Sequence, residues 1–262
     1  MMLSIDLKGK TALITGVTSG IGFGIAKIFA RAGCTITGCA NFKENTEDAK
    51  NFSEMLVMEG AKGHYSYCDV TNINQMTATV EATVKKYGGI DILISNAGTN
   101  VFEGADHCSE KQWDFNTDLN LKSHWQLSLL CKPWLEKSKN GVILIMTSNH
   151  SEATIPGCFP YNVTKTALKG LVQSLAIEWG PKIRTIGIAP GFIDTEGNQK
   201  WFDSFPDPTA ERSRTISLHP VKKLGTTEDI GTFCAFLASD MACFISGTTY
   251  LIDGGRSALL QD

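Results

Sequence analysis

The stretch "TALITGVTSGIGFGIAKIF", residues 11–29, opens with a short β-branched apolar run, breaks at glycines and resumes with apolar residues at helical spacing. Ile21, Ile25, Ile28 and Phe29 fall on one helix face, and Gly33 is a stop signal. Gly16, Gly20 and Gly22 stand at the join. Glycine lets a backbone turn tightly and approach a pyrophosphate, whose charge then rests on free N–H groups and the positive end of the helix. The spacing is TGxxxGIG, with its first two glycines further apart than in GxGxxG. Strand context on one side and helix on the other predict a phosphate-binding turn.

Outward from this stretch the pattern repeats. Short β-branched runs recur as "CTITGC" (34–39), "GHYSYC" (63–68), "DILIS" (91–95), "VILIMT" (142–147), "RTIGIA" (184–189) and "TTYLI" (248–252). Longer amphipathic or turn-rich segments lie between them. "NINQMTATVEATVKKYG" (72–88) places Ile73, Met76, Val80 and Val84 on one face and ends in Lys85, Lys86 and Gly88, a good helix terminus. Strand–helix alternation predicts an α/β fold: a Rossmann-like, doubly wound, seven-stranded parallel sheet with helices on both faces. A chain of 262 residues then reads as one domain, 1–262, with its site outside the strand C-termini.

Composition narrows the function classes. The formal net charge is −3 and no segment clusters Lys and Arg, which argues against a nucleic-acid or anionic-membrane partner and favours a small molecule. The eight cysteines are scattered through apolar segments without a CxxC pair and read as buried, reduced thiols. "MMLSIDLKGK" lacks the apolar core of a secretory signal and no stretch nears eighteen apolar residues, so the expected location is the cytoplasm. His107, His124 and His219 have no carboxylate or cysteine at ligand spacing, and no metal site is expected.

A second stretch carries the chemistry. "SNHSEATIPGCFPYNVTKTAL" (148–168) sets Ser148 thirteen residues ahead of Tyr161, with Lys165 one helical turn further on. By itself this spacing is common. Together with TGxxxGIG, "CDV" (68–70), "ISNAG" (94–98), "DLNLK" (118–122) in a long helix, "APGFIDT" (189–195) and "LASDMACFISGTTYLIDGG" (237–255), it resembles the short-chain dehydrogenase/reductase family over residues 8 to 255.

The resemblance implies an NAD(P)-dependent oxidoreductase that moves a hydride between a nicotinamide and a secondary alcohol or carbonyl. Gly16, Ser19, Gly20, Ile21 and Gly22 would line the pyrophosphate, Ala40 and Asn41 the adenosine ribose edge, and Asp69 and Val70 the adenine. Asn96, Ala97 and Gly98 would follow on the ribose side, and Pro190, Gly191, Ile193 and Thr195 would hold the nicotinamide. Asn120, Ser148, Tyr161 and Lys165 would carry the chemistry, with Tyr161 and Lys165 also contacting the cofactor. Ser95 stands where the family usually has a first asparagine. A free tyrosine has a pKa of about 10. The ammonium of Lys165 and the nicotinamide charge are expected to lower it, making Tyr161 the base or, in reverse, the acid. Ser148 would fix the substrate oxygen, and Asn120 would hold a water linking Lys165 to solvent.

Cofactor choice stays open between NAD and NADP. The position that would carry a ribose-binding acid holds Ala40, the next holds Asn41, Ser19 is neutral, and Lys43 suits either a 2′-phosphate or solvent. For the substrate, Asn100, His150, Glu152 and Gln199 make a polar set that suits a sugar or sugar derivative. "SNHSE" resembles the run after the catalytic serine in sugar 1-dehydrogenases and also the Ser-x-His of 3-hydroxybutyrate dehydrogenases. The latter would place a carboxylate-binding lysine where Cys158 stands. A 3-oxoacyl carrier-protein reductase and a nucleotide sensor without turnover are further alternatives. Residues 192–225, with Trp201, Phe202 and Phe205, read as a lid. The resemblance implies a homotetramer, and "WQLSLLCKPWL" (125–135) and "ALKGLVQSLAIEWG" (167–180) are apolar on more than one face.

Overall fold

The computed structural model describes residues 4–260; the outermost residues of the expected single domain, including the start of "MMLSIDLKGK", lie outside them. Thr11–Thr15 forms strand β1, buried along its whole length. Successive side chains leave a strand on opposite faces. Ala12 and Ile14 accordingly enter one apolar cluster with Ile25, Phe29, Ile36 and Ile230, while Leu13 enters a second with Met76, Val80, Ile143 and Leu168. A strand buried at every position is therefore read as the centre of a sheet covered on both sides.

Six further strands complete that sheet: β2 (Thr35–Ala40), β3 (Gly63–Tyr67), β4 (Ile92–Ser95), β5 (Gly141–Met146), β6 (Ile183–Pro190) and β7 (Thr249–Ile252). Their order is β3-β2-β1-β4-β5-β6-β7, and neighbouring strands pair in parallel. The doubly wound sheet expected from the sequence is thus present. Strand order reverses between β1 and β4, which opens a crevice above their C-termini.

Helices α1 (Gly20–Arg31), α2 (Glu47–Met58) and α3 (Ile73–Tyr87) link the first four strands. α3 is bounded as its sequence suggests: the Asn72 side chain accepts from the amides of Asn74 and Gln75, and Gly88 closes the helix in the left-handed region. Between β4 and β5 the long helix around "DLNLK" is not continuous. α4 (Glu110–Thr117) passes through a π-helical turn, Asp118–Lys122, into α5 (Ser123–Leu135), with the Ser123 amide donating to the Asp118 carbonyl. The extra residue in that turn carries Asn120, which is fully buried and bonded to the loop after β4. α6 (Tyr161–Trp179) follows β5, and α7 (Glu196–Asp203), α8 (Pro208–Ser217) and α9 (Thr227–Ala238) follow β6.

Six cysteines are buried, as expected, but Cys243 is exposed and Cys108 only partly covered. Both lie on short surface segments, where the surrounding apolar residues do not form a core face. No helix among the described residues is long and apolar enough to cross a membrane.

Candidate active site

The phosphate turn is made by backbone. Gly16 and Gly20 have φ of 72° and 55°, a region side chains disfavour. A Cβ on Gly22 would sit 2.1 Å from the Gly16 carbonyl oxygen. Ser19 caps α1 without a side-chain hydrogen bond, and the first turn holds no acid, so the amides of Gly20, Ile21 and Gly22 are free to receive an anion. This cradle fits a dinucleotide diphosphate. Its rim is knitted to β4: the Thr15 hydroxyl accepts from the amides of Asn96 and Ala97 at 2.9 Å each, and Asn96 Nδ2 donates to the Thr15 carbonyl at 2.8 Å.

At the adenosine edge Ala40 is buried and Asn41 exposed. The loop after β2 is held by Tyr65, whose hydroxyl is 3.1 Å from the Ala40 carbonyl and 2.6 Å from that of Phe42. Asp69 accepts from the amide and hydroxyl of Thr71, and Val70 is buried beside it. Nothing local in the sequence marks Tyr65, because its partners lie 23 and 25 residues away.

Above β4 and β5 the proton-handling residues converge. Ser148 follows β5 and starts a short 3-10 turn, Asn149–Ser151, its Oγ accepting from the His150 amide at 3.2 Å. Tyr161 is the first residue of α6, and the Ser148 side chain neighbours its phenol closely enough to act on it. One turn later Lys165, 3% exposed, lies 5.5 Å from the Tyr161 ring centroid and donates to the Met146 carbonyl at 3.0 Å. A Cβ on Gly98 would fall 2.6 Å from Asn120 Oδ1 and 3.5 Å from Lys165 Nζ, so only glycine leaves these two groups room. Asn120 spends Nδ2 on the Thr99 carbonyl and Asn116 Oδ1, both at 2.9 Å, and Oδ1 accepts from the Thr99 amide at 3.1 Å. The carboxamide thereby fixes the loop after "ISNAG".

The protein's own groups act against the lowering expected with the nicotinamide charge in place. Burial pushes the Tyr161 phenol up to about 12, with the Ser148 hydrogen bond acting against it, instead of down. Burial also lowers the Lys165 ammonium to about 8. Withdrawal from water disfavours both charged forms, and in the protein alone that outweighs their neighbourhood. At neutral pH the set is a protonated phenol beside an ammonium, which suits proton donation to a substrate oxygen.

The segment after β6 closes the site. Pro190 ends β6, Ile193 is buried, and a Cβ on Gly191 would lie 2.5 Å from that of Asp253. Thr195 caps α7, accepting from the Asn198 amide, and its methyl lies 3.6 Å from where a Gly20 Cβ would be. That places it against the phosphate turn.

The expected substrate residues divide. His150 sits edge-on to Tyr161 at 6.1 Å between ring centroids, its Nδ1 3.1 Å from the Thr154 hydroxyl, and burial lowers its pKa. Cys158 is buried and acts electrostatically on Tyr161. Asn100 is exposed on the loop after β4. Glu152 is ion-paired with Lys169 at 2.7 Å. Gln199 donates to Asp203 and accepts from Arg212, which pairs with Asp194. Trp201 stacks among Phe192, Phe202 and Phe205, of which Phe202 is fully buried against the body of the domain. Sequence reasoning passed over Phe102, whose ring meets Tyr161 edge-on at 5.3 Å and is 45% exposed. An apolar pair, Val101-Phe102, in an otherwise polar loop was the available signal.

A glycine-built anion cradle at the switch point of a parallel sheet, with phenol, hydroxyl and ammonium converging beside it, defines a dinucleotide-dependent oxidoreductase. The family model described as enoyl-(acyl carrier protein) reductase matches residues 16–257. Dehydrogenase/reductase SDR family member 4 of Homo sapiens is 35% identical over 257 residues, 97% of this chain and 90% of that protein. Among solved structures, the aldohexose dehydrogenase of Thermoplasma acidophilum aligns with a TM-score of 0.88 at 28% identity, over 98% of this chain and 97% of that one. A 7α-hydroxysteroid dehydrogenase complexed with NADH and 7-oxo glycochenodeoxycholic acid aligns with 0.88 at 31% identity, over 97% and 98%. The chain belongs to the short-chain dehydrogenase/reductase family and is an oxidoreductase of that family, acting on small molecules at CH–OH groups.

Proposed function

We propose that the protein transfers a hydride between NAD or NADP and a secondary alcohol or the corresponding carbonyl, with a sugar or sugar derivative as the substrate class. The observation that carries the reading is the Ser148–Tyr161–Lys165 arrangement beside the phosphate turn. The dinucleotide, when bound, supplies or accepts the hydride. Gly16, Ser19, Gly20, Ile21 and Gly22 hold its diphosphate, Ala40, Asn41, Asp69 and Val70 its adenosine, and Pro190, Gly191, Ile193 and Thr195 its nicotinamide end. Ser148 orients the substrate oxygen, and Tyr161 gives it a proton during reduction or takes one during oxidation. Lys165 favours the tyrosinate in the oxidising direction. Asn120 braces the loop that carries Asn96 to Gly98.

No carboxylate stands at Ala40 or Asn41 to repel a 2′-phosphate, and either cofactor is compatible with that edge. His150, Asn100 and Cys158 form the near wall for substrate, while residues 192–225, with Gln199 and Trp201, form a lid over a single domain. Glu152 stands at the rim. Exposed Trp125, Leu129 and Ile177 on α5 and α6 support assembly of copies into a homotetramer. A cytoplasmic location accords with the cysteine pattern.

A second reading rests on Phe102. An exposed aromatic face beside the phenol suits a substrate with an apolar face, such as a steroid alcohol. Aldoses, sugar acids, short hydroxy acids and hydroxysteroids, each assayed with NAD⁺ and NADP⁺ by nicotinamide absorbance, separate the readings. Turnover of aldoses supports the first. Turnover confined to steroids or hydroxy acids overturns it.

A further inference from the structure

One buried titratable side chain has no part in that mechanism. His124, on the first turn of α5, is fully buried. Its Nδ1 lies 2.7 Å from the Ser95 hydroxyl at the end of β4, and its Nε2 has no hydrogen-bond partner among the described residues. A buried polar atom left unpaired is destabilising, so a ring held in this way calls for a reason.

Lys165 shows the complementary imbalance. An ammonium has three N–H donors and no acceptor. Among the described residues Lys165 makes one hydrogen bond to protein, to the Met146 carbonyl. Met146 ends β5, which pairs with β4 so that Ser95 lies opposite Ile145. The anchor of His124 and the acceptor of Lys165 therefore sit at the ends of neighbouring strands. α5 and α6 pack on the same face of the sheet, through Leu127 and Cys131 from one and Leu168 and Val172 from the other. Spare donors and a spare nitrogen are thus enclosed on one face of the sheet, near enough for the charge of Lys165 to act on the ring.

The imidazole is neutral. Burial, and secondarily the charge of Lys165, hold its pKa well below the ordinary value. Of the groups on elements packed around it, Lys165 is the charged one that acts on it: Glu81, Lys85 and Lys86 of α3 and the Asp118–Lys122 pair of the π turn face solvent, while Cys131 is a buried thiol that burial keeps protonated. In the neutral ring, donation from Nδ1 to Ser95 leaves the lone pair on Nε2. A neighbouring cation favours that tautomer, because it places the negative end of the ring dipole on the free nitrogen.

We propose that His124 is a positioning residue for Lys165: anchored by Ser95, its Nε2 serves, through one internal water, as a second acceptor for the lysine ammonium beside the Met146 carbonyl, and so keeps that ammonium charged and in place. This rests on the proposed proton-transfer role of Tyr161 and Lys165. No bond is made or broken at His124; it moves no hydride and faces no substrate.

The test reads Lys165 itself and needs no substrate. In the full chain labelled with ¹³C at lysine Cε, the Lys165 resonance, assigned by its loss in Lys165→Arg, is expected to titrate near 8. His124→Leu removes the acceptor and is expected to lower that midpoint by about one pH unit, a tenfold change. His124→Gln, whose amide oxygen reaches about as far as Nε2, is expected to restore it. Ser95→Ala, the smaller change, releases the anchor and is expected to shift the midpoint the same way even if His124→Leu does not fold. An unchanged or raised midpoint in a folded variant overturns the proposal, as does a Gln variant that behaves like Leu. A substrate screen without turnover, alongside a shifted midpoint, would count against the proposed function and leave the His124 assignment standing.

Discussion

The cofactor side and the substrate side of the crevice are built from different material. On the first, from Thr15 to Gly22 and from Ser95 to Gly98, the surface is mostly backbone amides and carbonyls, tied by the Thr15 hydroxyl and the Asn96 carboxamide, with glycines where a Cβ would collide. On the second, from Phe102 to Cys158 and Phe192 to Gln199, the surface is made of side chains, many of them paired with each other. A backbone site can be changed only by breaking it. A side-chain site can be retuned one residue at a time, which is how one fold serves relatives named for an aldohexose and for a bile-acid steroid.

The sharpest break of that contrast lies at the seam between the two sides. Tyr161→Phe keeps the ring that packs on Phe102 and removes only the hydroxyl. Turnover, followed as nicotinamide absorbance, is expected to fall at least about a thousandfold, within the range for a positioned acid–base group. Cofactor affinity, read by quenching of protein fluorescence, should stay within about threefold. Loss of both together would mean that the phenol belongs to the cofactor side.

Gly22→Val tests the backbone side. Its side chain would begin 2.1 Å from the Gly16 carbonyl, so the turn must move. Dinucleotide affinity is expected to drop about a hundredfold or more, against a fall of only a few degrees in Tm. Affinity within tenfold of the parent would show the turn to be adjustable after all.

Phe102→Ala is the matching change on the substrate side. It takes an aromatic face from beside the phenol without touching the cradle. KM for the best substrate from the screen is expected to rise about tenfold, with the cofactor constant unmoved. A steroid alcohol should lose more than an aldose, because the ring contributes apolar area.

The two sides also differed in how far the sequence disclosed them. Gly16 and Gly20 could be read because positive φ and close approach demand glycine, a local requirement written in the local sequence. The C-terminal end of α3 was legible for the same reason, in Gly88. Phe102 against Tyr161, and Tyr65 on the loop after β2, depend on contacts that only the folded sheet creates. The π turn at Asn120 escaped because "DLNLK" has no helix breaker; the bulge accompanies bonds to a loop twenty-one residues earlier. The direction of the Tyr161 shift escaped too, since burial of a phenol is a property of its whole surroundings.

Glu152 gives the smallest effect and the finest test. It lies four residues after Ser148, where a substrate hydroxyl would find it, yet its carboxylate is 2.7 Å from Lys169, a turn beyond Lys165 on α6. Both side chains are about one-third exposed, and a pair of that kind contributes under about 1 kcal/mol. Glu152→Gln is therefore expected to leave Tm within a few degrees and to change kcat/KM for an aldose by less than about threefold, because the acid is already committed to its partner. A tenfold rise in KM with unchanged Tm would show the opposite: the carboxylate leaves Lys169 when substrate arrives, a hydroxyl takes the place of the ammonium, and Lys169 is released to solvent. Lys169→Met separates the two accounts, since freeing Glu152 should lower KM if the acid binds substrate and leave it unmoved if the pair only trims the surface.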